Sequence, residues 1–332
     1  MTPTVVIVSH RGGPLLARCV ASLKAQTWAP TALLVVLSTA HDVPVPAGVE
    51  VLKMGRSAGF AQAANVGLRH VCGEPTVLLN DDTCAAPDFI EKLCRAATAP
   101  GIYQPRIMLD DGTTRIDNTG HSLFPDGFNF ARGRNQPLKD FPAEAGAFSG
   151  AAVLFTPEVL NTVGLFDEDF DAFGEDLDLS LRARRAGFRV HYVPDAIIHH
   201  TLGATYGRVS PRKIFLVERN RTWAAVRSLP LTALGTLPAW TGLRLTTQAL
   251  GAATGRGLGT GAGLSGALAA LAGNGAGLLG IARAWKKRAE DRTQWSEGER
   301  SMLGHLHTHR AHTRDILPQV PHSPARSASA TV

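Results

Sequence analysis

Cysteine is scarce in this sequence, and its placement excludes a fold held together by disulfides. The 332 residues contain four cysteines, Cys19, Cys72, Cys84 and Cys94, and no two of them form a CxxC pair. Domains that depend on disulfides carry denser and more regular cysteine patterns. We therefore expect a protein that folds in a reducing compartment around an ordinary hydrophobic core.

A charged leader segment is also lacking. The first four residues are uncharged, and they lead directly into a short apolar run at residues 5–8. A secretory signal peptide needs a basic start and a longer apolar stretch. The expectation is a catalytic part that stays in the cytoplasm.

Charge is unevenly distributed along the chain, and aromatic residues make up only 6% of it. Residues 1–205 contain 17 Lys and Arg against 22 Asp and Glu, a net charge of −5, whereas residues 206–332 contain 17 against 6, a net charge of +11. The basic part lacks interleaved aromatics and any zinc or helix-turn-helix signature, which argues against a nucleic-acid partner. We expect peripheral contact with an anionic membrane surface instead.

The hydrophobic patterns predict an α/β fold with a mostly parallel sheet flanked by helices. Alternation of short β-branched runs with segments of helical period is typical of that class. The predicted strands stand at residues 5–8, 33–37, 49–53, 76–79, 149–155 and 190–198, and the predicted helices at 14–26, 59–71, 157–163 and 175–186. Residues 101–146, rich in Gly, Pro, Asp and Asn, are expected to be mostly irregular.

Composition divides the chain into three parts. Residues 1–207 are predicted to form a catalytic domain, residues 208–295 a basic and apolar helical region, and residues 296–332 a disordered tail. Three histidines of that tail, His305, His307 and His309, could bind metal adventitiously, but solvated disorder is the preferred interpretation.

Three polar groups stand at the ends of predicted elements. They are Asn80-Asp81-Asp82 after an apolar strand, Glu175-Asp176 at a helix start, and His199-His200 after another strand. Ligands bind at strand ends in α/β sheets. Paired acids supply the oxygen ligands that Mg²⁺ or Mn²⁺ uses to hold a diphosphate, histidine can complete the metal shell, and a further acid can serve as a general base. The pattern therefore indicates group transfer from a nucleotide diphosphate.

The order of several motifs resembles the inverting family 2 glycosyltransferases, particularly the bacterial rhamnosyltransferase-like branch that builds cell-surface polysaccharide. The matching segments are residues 5–11, 59–68, 78–83, 117–120, 149–152, 163–168 and 173–182. The last segment, which contains Phe173-Gly174-Glu175-Asp176, is the most specific. The resemblance covers about residues 4–205, with a looser echo at residues 218–221.

This resemblance implies a GT-A fold, in which an aspartate-rich strand end holds Mg²⁺ or Mn²⁺ and the donor diphosphate. Asn80 stands where the first aspartate of the usual motif would be, so Asp82 is the expected metal ligand. His200 matches the family's metal-binding histidine. Asp176 matches the catalytic base, with Glu175 beside it.

The resemblance also implies contacts for both substrates. A nucleotide-sugar donor is expected to contact Ser9, His10, Arg11, Ser38, Asp42, Gly59, Asn65, Asn80 and Asp81. A glycan or lipid-linked acceptor is expected to contact Ser149, Gly150 and Phe173. The implied activity is inverting transfer of a sugar, with rhamnose as the candidate, at the inner face of the cell membrane.

One departure from the family leaves the donor nucleotide open. Relatives usually carry an aspartate after the second strand that contacts the nucleobase, but Leu37 stands at this position. A leucine cannot accept the N–H of a base. Asp42, Ser38 or Ser9 would have to compensate.

Simpler interpretations of the same residues remain open. Asp82 suits a helix N-cap, and Glu175 with Asp176 suits an acidic first helical turn. Asp178 is expected to pair with Arg182, four residues on. Two other function classes also remain: a sugar-1-phosphate nucleotidyltransferase, whose Gly-rich basic signature is only faint at residues 9–13, and a non-catalytic carbohydrate-binding relative.

Overall fold

The computed structural model of the protein describes residues 2–201, 210–253 and 263–316. Its strands are β1 (Thr4–Ser9), β2 (Leu33–Leu37), β3 (Glu50–Lys53), β4 (Thr76–Asn80), β5 (Thr83–Ala85), β6 (Ile102–Leu109), β7 (Ile116–Asn118), β8 (His121–Leu123), β9 (Asn129–Ala131), β10 (Glu144–Ala145), β11 (Ala152–Phe155) and β12 (Val190–His200). Its helices are α1 (Gly13–Lys24), α2 (Phe60–His70), α3 (Phe89–Ala96), α4 (Pro157–Val163), α5 (Glu175–Arg185), α6 (Pro211–Ser228), α7 (Leu231–Ala253), α8 (Gly263–Leu279), α9 (Ile281–Asp291), α10 (Glu299–Thr308) and α11 (Thr313–Ile316).

A mixed sheet forms the centre, with its main strands in the order β10-β12-β6-β11-β4-β1-β2-β3. The pairs β1–β2, β1–β4, β2–β3 and β6–β12 are parallel, whereas β11 runs antiparallel to both β4 and β6. Strand β5 adds to β12, and β7 adds to β6. The predicted α/β fold with a mostly parallel sheet is confirmed.

The first strand shows why both faces of the sheet are apolar. Its residues alternate between two hydrophobic cores, because successive side chains of a strand point to opposite faces. Val5 and Ile7 belong to one core with residues of α1 and α3, and Val6 and Val8 to the other with residues of α2, α4 and α5. A strand that is buried on both faces has a nearly continuous run of Val and Ile in its sequence.

The prediction of a mostly irregular segment at residues 101–146 is wrong at its start, where β6 lies inside the sheet. This buried strand contains Pro105, which lacks the backbone N–H that a sheet ladder uses and is therefore unusual away from sheet edges. The neighbouring strand accommodates it with a bulge: Val193 lies opposite Pro105, and Ile197 already lies opposite Arg106. The strand pairing is therefore irregular beside Pro105, but the irregularity takes the form of a bulge in β12, and the pairing of β12 with β6 continues beyond it.

Helices α6 to α9 follow the sheet part, and buried ion pairs join α6 and α7 to it. The fully buried guanidinium of Arg244, on α7, lies 2.7 Å from carboxylate oxygens of both Asp126 and Glu218. Breaking such a buried pair costs about 3–5 kcal/mol, because a charge remains without its partner. Among the described residues, no single helix is long and apolar enough to cross a membrane, although α8 joined to residues 281–294 across a 53° bend passes that test of length and composition.

The predicted disorder from residue 296 onward is wrong for residues 299–308, which form α10. Met302 in this helix is fully buried in a cluster with Leu177, Leu181 and Leu229. The backbone N–H groups of Ser296 and Glu297 both donate to the Arg185 carbonyl, at 2.9 Å. The contacts with Leu177, Leu181 and Arg185 join residues more than 100 positions apart, so local polarity could not reveal them. Residues 317–332 of the predicted tail lie outside the described residues.

Candidate active site at one edge of the sheet

The end of β4 is joined to the end of β1 through Asp81. The Asp81 N–H donates to the Val8 carbonyl at 3.2 Å, and its carboxylate accepts a 2.5 Å hydrogen bond from Ser9 Oγ. Burial raises the pKa of Asp81 to about 6, against the opposing effect of the Ser9 hydroxyl. Ser9 Oγ also accepts from the Gly12 N–H at 3.0 Å. Both residues therefore shape the loop in which His10 and Arg11 lie.

Asp82 is buried at the same edge, beside His200. Its Oδ1 atom lies 3.2 Å from His200 Nε2, and no described residue makes a hydrogen bond to that oxygen. Pairing between strands sets this proximity: His200 lies opposite Thr83, and the Thr201 N–H donates to the Asp82 carbonyl at 2.9 Å. The two predicted metal ligands are thus brought together.

Asp117, on β7, supports the histidine from its other side. His200 Nδ1 lies 2.7 Å from Asp117 Oδ2, and Asp117 is itself paired with Arg134. Burial opposes protonation of the ring, but Asp117 and Asp82 outweigh it and raise the pKa of His200 to about 9. Sequence analysis gave Asp117 no role, although it stands in one of the matching motifs.

Asp82 and His200 fit a divalent cation. The raised pKa of His200 means that a proton on Nε2 can meet the Asp82 oxygen, and a divalent cation would replace that proton, because histidine binds metal as the neutral imidazole. Carboxylate oxygen with imidazole nitrogen forms a mixed set that Mn²⁺ accepts readily and Mg²⁺ accepts when water and phosphate complete its shell. Asp117 would fix the orientation of the imidazole, as carboxylates do behind metal-binding histidines.

The second acid group lies at the start of α5, close to the end of β4. Asp176 Oδ2 accepts from the Gly150 N–H at 3.3 Å, and its Oδ1 accepts from the Leu177 N–H at 2.8 Å. Next to Gly150, the Ala151 carbonyl accepts from the Asn80 N–H at 3.0 Å. Asn80, Gly150 and Asp176 therefore lie along one edge of the sheet.

The two acids of the Glu175-Asp176 pair have different surroundings. Glu175 is buried, its Oε2 finds no hydrogen-bond partner in the described part of the chain, and burial together with Asp176 raises its pKa well above the usual range. The Asp176 side chain stays 14% exposed, with His121 Nδ1 3.9 Å away. Asp176 is thus the acid that an acceptor hydroxyl could reach.

The loop before Asp176 is strained and is held by an asparagine of α6. Asp171 and Phe173 both have left-handed backbones, with φ of 63° and 65°. The buried Asn220 amide donates to the carbonyls of Phe170, Ala172 and Phe173, at 2.8, 3.0 and 2.6 Å. Asn220 lies in the weaker family match at residues 218–221, to which the sequence alone assigned no role.

The residues predicted for the nucleotide end are only partly brought together. His10 Nδ1 lies 2.7 Å from the Ser38 carbonyl oxygen, which links the ends of β1 and β2. Leu37 is buried in the core. Asp42 is 93% exposed and pairs with Lys53 at 2.8 Å, so nothing in its contacts compensates for Leu37.

Two predicted donor-binding residues, Asn65 and Gly59, make internal contacts in the structure. The buried Asn65 amide donates to the Phe166 carbonyl at 2.9 Å and to Glu168 at 3.0 Å, and its oxygen accepts from the Phe166 N–H at 3.0 Å. A Cβ on Gly59 would lie 2.4 Å from the Asp171 carbonyl oxygen, so this glycine permits a close backbone contact. Packing thus accounts for Gly59 and Asn65 within the family motif, and their contact with the donor stays a prediction.

The predicted acceptor residues lie near Asp176. The Ser149 N–H donates to Gln104 Oε1 at 2.7 Å, and Gly150 contacts Asp176 directly. Phe173 lies two residues before Glu175, with Lys213 Nζ 5.1 Å from its ring centre. Asp178, expected to pair with Arg182, does so at 2.8 Å, which confirms that prediction.

Comparisons with known proteins agree with this geometry. The sequence model described as glycosyltransferase like family 2 matches residues 3–225. The N-acetylglucosaminyl-diphospho-decaprenol L-rhamnosyltransferase of Mycobacterium tuberculosis is 28% identical in an alignment of 262 residues that covers 66% of this chain and 85% of the relative. The dTDP-rhamnosyl transferase RfbF of Shigella flexneri is 23% identical over 162 residues, 47% of this chain and 53% of the relative.

A solved structure shares the fold. The structure of GalNAc-T7 with UDP, GalNAc and Mn²⁺ aligns with a TM-score of 0.53 at 16% identity, over 71% of this chain and 49% of the other. The sheet order, the acids at its edge and the matched segment together define a GT-A glycosyltransferase. The chain belongs to the family 2 glycosyltransferases. The nucleotidyltransferase alternative is therefore set aside.

The internal role of Asn65 is testable. We expect Asn65→Ala to lower the free energy of unfolding by about 1–3 kcal/mol, because it leaves the buried Phe166 N–H without an acceptor. Affinity for the nucleotide-sugar donor should stay within about twofold of wild type. Urea unfolding and calorimetric donor titration measure the two quantities. A large loss of donor affinity at unchanged stability would restore the binding role.

Proposed function

We propose that the protein is a metal-dependent, inverting glycosyltransferase that moves a sugar, with rhamnose as the candidate, from a nucleotide-diphospho-sugar to a lipid-linked glycan acceptor. The observation that carries the proposal is the close approach of the buried Asp82 Oδ1 to His200 Nε2, at 3.2 Å, at the same edge of the sheet as Asp176. Asp82 and His200 can hold a cation and through it the diphosphate, and Asp176 can accept a proton.

Asp82 and His200 would hold Mg²⁺ or Mn²⁺ in this proposal. The bound ion would supply positive charge to the nucleoside diphosphate as it leaves. Asp81 stays tied to Ser9, so its part is to fix the loop after β1 against the donor side. Asp117 keeps the His200 ring in place.

Asp176 would remove the proton from the acceptor hydroxyl. The Gly150 and Leu177 N–H groups orient its carboxylate from two sides, which leaves part of it open to the edge of the sheet. As the acceptor hydroxyl loses its proton, its oxygen attacks the anomeric carbon from the face opposite the diphosphate. A single displacement of this kind inverts the configuration at that carbon. No enzyme nucleophile is needed.

Two relatives support rhamnose and a lipid-linked acceptor. The mycobacterial relative is named for L-rhamnosyl transfer to an N-acetylglucosaminyl-diphospho-decaprenol, and the Shigella relative is named for dTDP-rhamnosyl transfer. This chain spans 85% of the former. Similar chemistry would place this protein in cell-surface polysaccharide synthesis.

The shape of α8 supports peripheral contact with the cytoplasmic face of the membrane. Its buried glycines pack against α6: a Cβ on Gly273 would lie 2.5 Å from the Phe215 carbonyl oxygen, and one on Gly277 2.9 Å from Thr222. The opposite face carries exposed leucines at helical spacing. They are Leu264, Leu268, Leu271 and Leu278, between 57% and 77% exposed.

A helix that turns its leucine stripe outward departs from the rule for surface helices, which bury their apolar face. Contiguous exposed apolar patches mark interaction sites. The next helix, α9, carries the exposed Trp285 between Arg283 and Lys286, and such aromatic and basic groups are favoured at membrane interfaces. A bilayer that presents a lipid-linked acceptor is the surface proposed here.

The metal site is tested by Asp82→Asn. We expect the gain in donor affinity that Mn²⁺ or Mg²⁺ gives to wild type to fall at least tenfold, since the variant loses an anionic ligand. Asp88→Asn, at an exposed acid paired with Lys92, is the matched control and should behave as wild type. Calorimetry with UDP-, dTDP- and GDP-sugars, with and without metal, provides the readout. Donor affinity that never responds to metal would refute this site.

Removal of the base is tested by Asp176→Asn. Transfer should fall by on the order of 10²–10⁴, the range of general-base catalysis, while donor affinity and folding persist. Glu175→Gln should cost less, because an amide resembles a buried neutral carboxyl group. Single-turnover rates and the anomeric configuration of the product, by NMR, are the measurements. Near-normal turnover of the first variant together with failure of the second would move the role to Glu175.

Membrane contact is tested by changing Leu268 and Leu271 to Asp together. Binding to anionic vesicles should weaken about 100-fold, roughly tenfold for each leucine that no longer enters the bilayer. Leu138→Asp, at an exposed leucine outside α8, is the matched control. Vesicle co-sedimentation measures the affinity, and a carbonate wash of cell membranes should release the wild-type chain. Equal vesicle binding by all three proteins would defeat the membrane proposal.

A further inference from the structure

A second group of metal-ligating side chains lies away from Asp82 and His200, where the C-terminal helix α10 meets β10. We call Glu144, His305 and His309 the C-terminal histidine cluster. Glu144 begins β10, His305 lies in α10, and His309 follows the end of that helix, four residues on. One ligand atom from each residue lies within 4.8 Å of the other two, and both histidines are buried.

The hydrogen bond of His305 fixes which ring nitrogen carries the proton. His305 Nε2 lies 3.0 Å from the carbonyl oxygen of Gly146. Because a carbonyl only accepts, Nε2 is the nitrogen with the hydrogen, and in the neutral ring Nδ1 keeps a free lone pair. The side chain is 3% exposed, and Nδ1 has no hydrogen-bond partner among the residues the structure describes.

That lone pair faces a carboxylate. Glu144 Oε1 lies 3.9 Å from His305 Nδ1 and 3.7 Å from His309 Nε2. Burial lowers the pKa of His305 to about 4, so its ring is neutral near pH 7. The proximity of His309, opposed by burial and helped by Arg189, lowers the pKa of Glu144 to about 2. Two electron-rich atoms thus meet in a buried place, an arrangement that a cation would satisfy.

We propose that Glu144, His305 and His309 bind a divalent transition-metal ion, Zn²⁺ by the chemistry of the ligand set, at a site separate from the active site. Two imidazoles and one carboxylate form a ligand set that Zn²⁺ commonly uses, with water in the fourth position. Two histidines four residues apart lie on one face of a helix, as in known zinc motifs. The Gly146 carbonyl supplies the backbone acceptor that metal-binding histidines usually have behind them.

The three ligand atoms lie farther apart than a bound ion requires, all within 4.8 Å of one another. Zn–N and Zn–O distances of about 2.0–2.1 Å place tetrahedral ligand atoms about 3.4 Å apart. The two distances from Glu144 exceed this separation by about 0.3–0.5 Å, which small side-chain rotations can supply. Arg189 lies 3.3 Å from Glu144 and 3.6 Å from Glu297, so it retains a carboxylate partner when Glu144 binds metal.

A bound ion here would connect the C-terminal helix to the segment that leads into the active site. Glu144 and Gly146 precede Ser149 and Gly150 in the chain. The His309 carbonyl also accepts from the Leu123 N–H at 2.8 Å. The ion would therefore be structural, and the inference does not rest on the proposed function.

The experiment uses the metal-free full chain and Zn²⁺ alone. Wild type is titrated with Zn²⁺ against a chromophoric chelator, beside His305→Asn and Glu144→Gln. The control is His307→Asn, which changes an exposed histidine of the same helix. We expect each cluster variant to bind one Zn²⁺ fewer per chain, or to bind it at least 100-fold more weakly, while the control matches wild type. Zn²⁺ should also raise the melting temperature of wild type and of the control only.

Two further measurements separate this site from the catalytic one and from misfolding. The additional Zn²⁺ should persist in Asp82→Asn, and Co²⁺ should give the strong visible absorption of a four-coordinate ion in that background. Circular dichroism checks that the variants fold, and Glu144→Gln leaves α10 itself unchanged. Equal Zn²⁺ binding by wild type and both cluster variants overturns the proposal, as does an equal loss in His307→Asn.

Discussion

The candidate active site depends on one backbone pairing, the antiparallel ladder between β5 and β12. His200 lies opposite Thr83 in this ladder, and β12 continues in parallel register along β6, which in turn pairs with β7. These pairings bring Asp82 and Asp117 to opposite sides of the His200 ring, although the three residues stand far apart in sequence. Because side chains alternate along a strand, a shift of one residue would turn His200 away and present His199 in its place.

A second constraint is the placement of charge. The basic C-terminal part does not present all of its positive charge to solvent, because several of its arginines are buried against acids of the sheet part. Arg244 and Arg221 lie beside Asp126, and Arg227 contacts Asp167 and Asp178. The net charges of −5 and +11 therefore reflect in part an electrostatic fit within one chain. The proposed membrane surface consequently rests on the exposed leucines of α8 more than on net charge.

The sequence was most informative where local patterns coincide with structure. The Val/Ile run of β1, the acids after β4 and the acidic start of α5 all lie where their patterns indicated. Prediction failed where contacts distant in sequence decide the outcome. Strand β6 was hidden by Pro105, whose missing N–H is accommodated by a bulge in another strand. Asn65 stands in a family motif and its amide is hydrogen-bonded to Phe166 and Glu168, about 100 residues away, contacts that no local pattern indicates, while its contact with the donor stays a prediction.

The C-terminal helices take part in building the site, because a chain of rigid contacts leads from α8 to Asp176. The glycines of α8 let it approach α6 closely, and Asn220 of α6 holds three carbonyls of the loop before Glu175. That loop keeps two residues in left-handed conformations, which persist only when their surroundings fix them. If the leucine face of α8 rests on a bilayer, two packed helices set the distance of Asp176 from the lipid surface. An acceptor anchored in the membrane would then meet the base at a defined height, which a flexible tether could not provide.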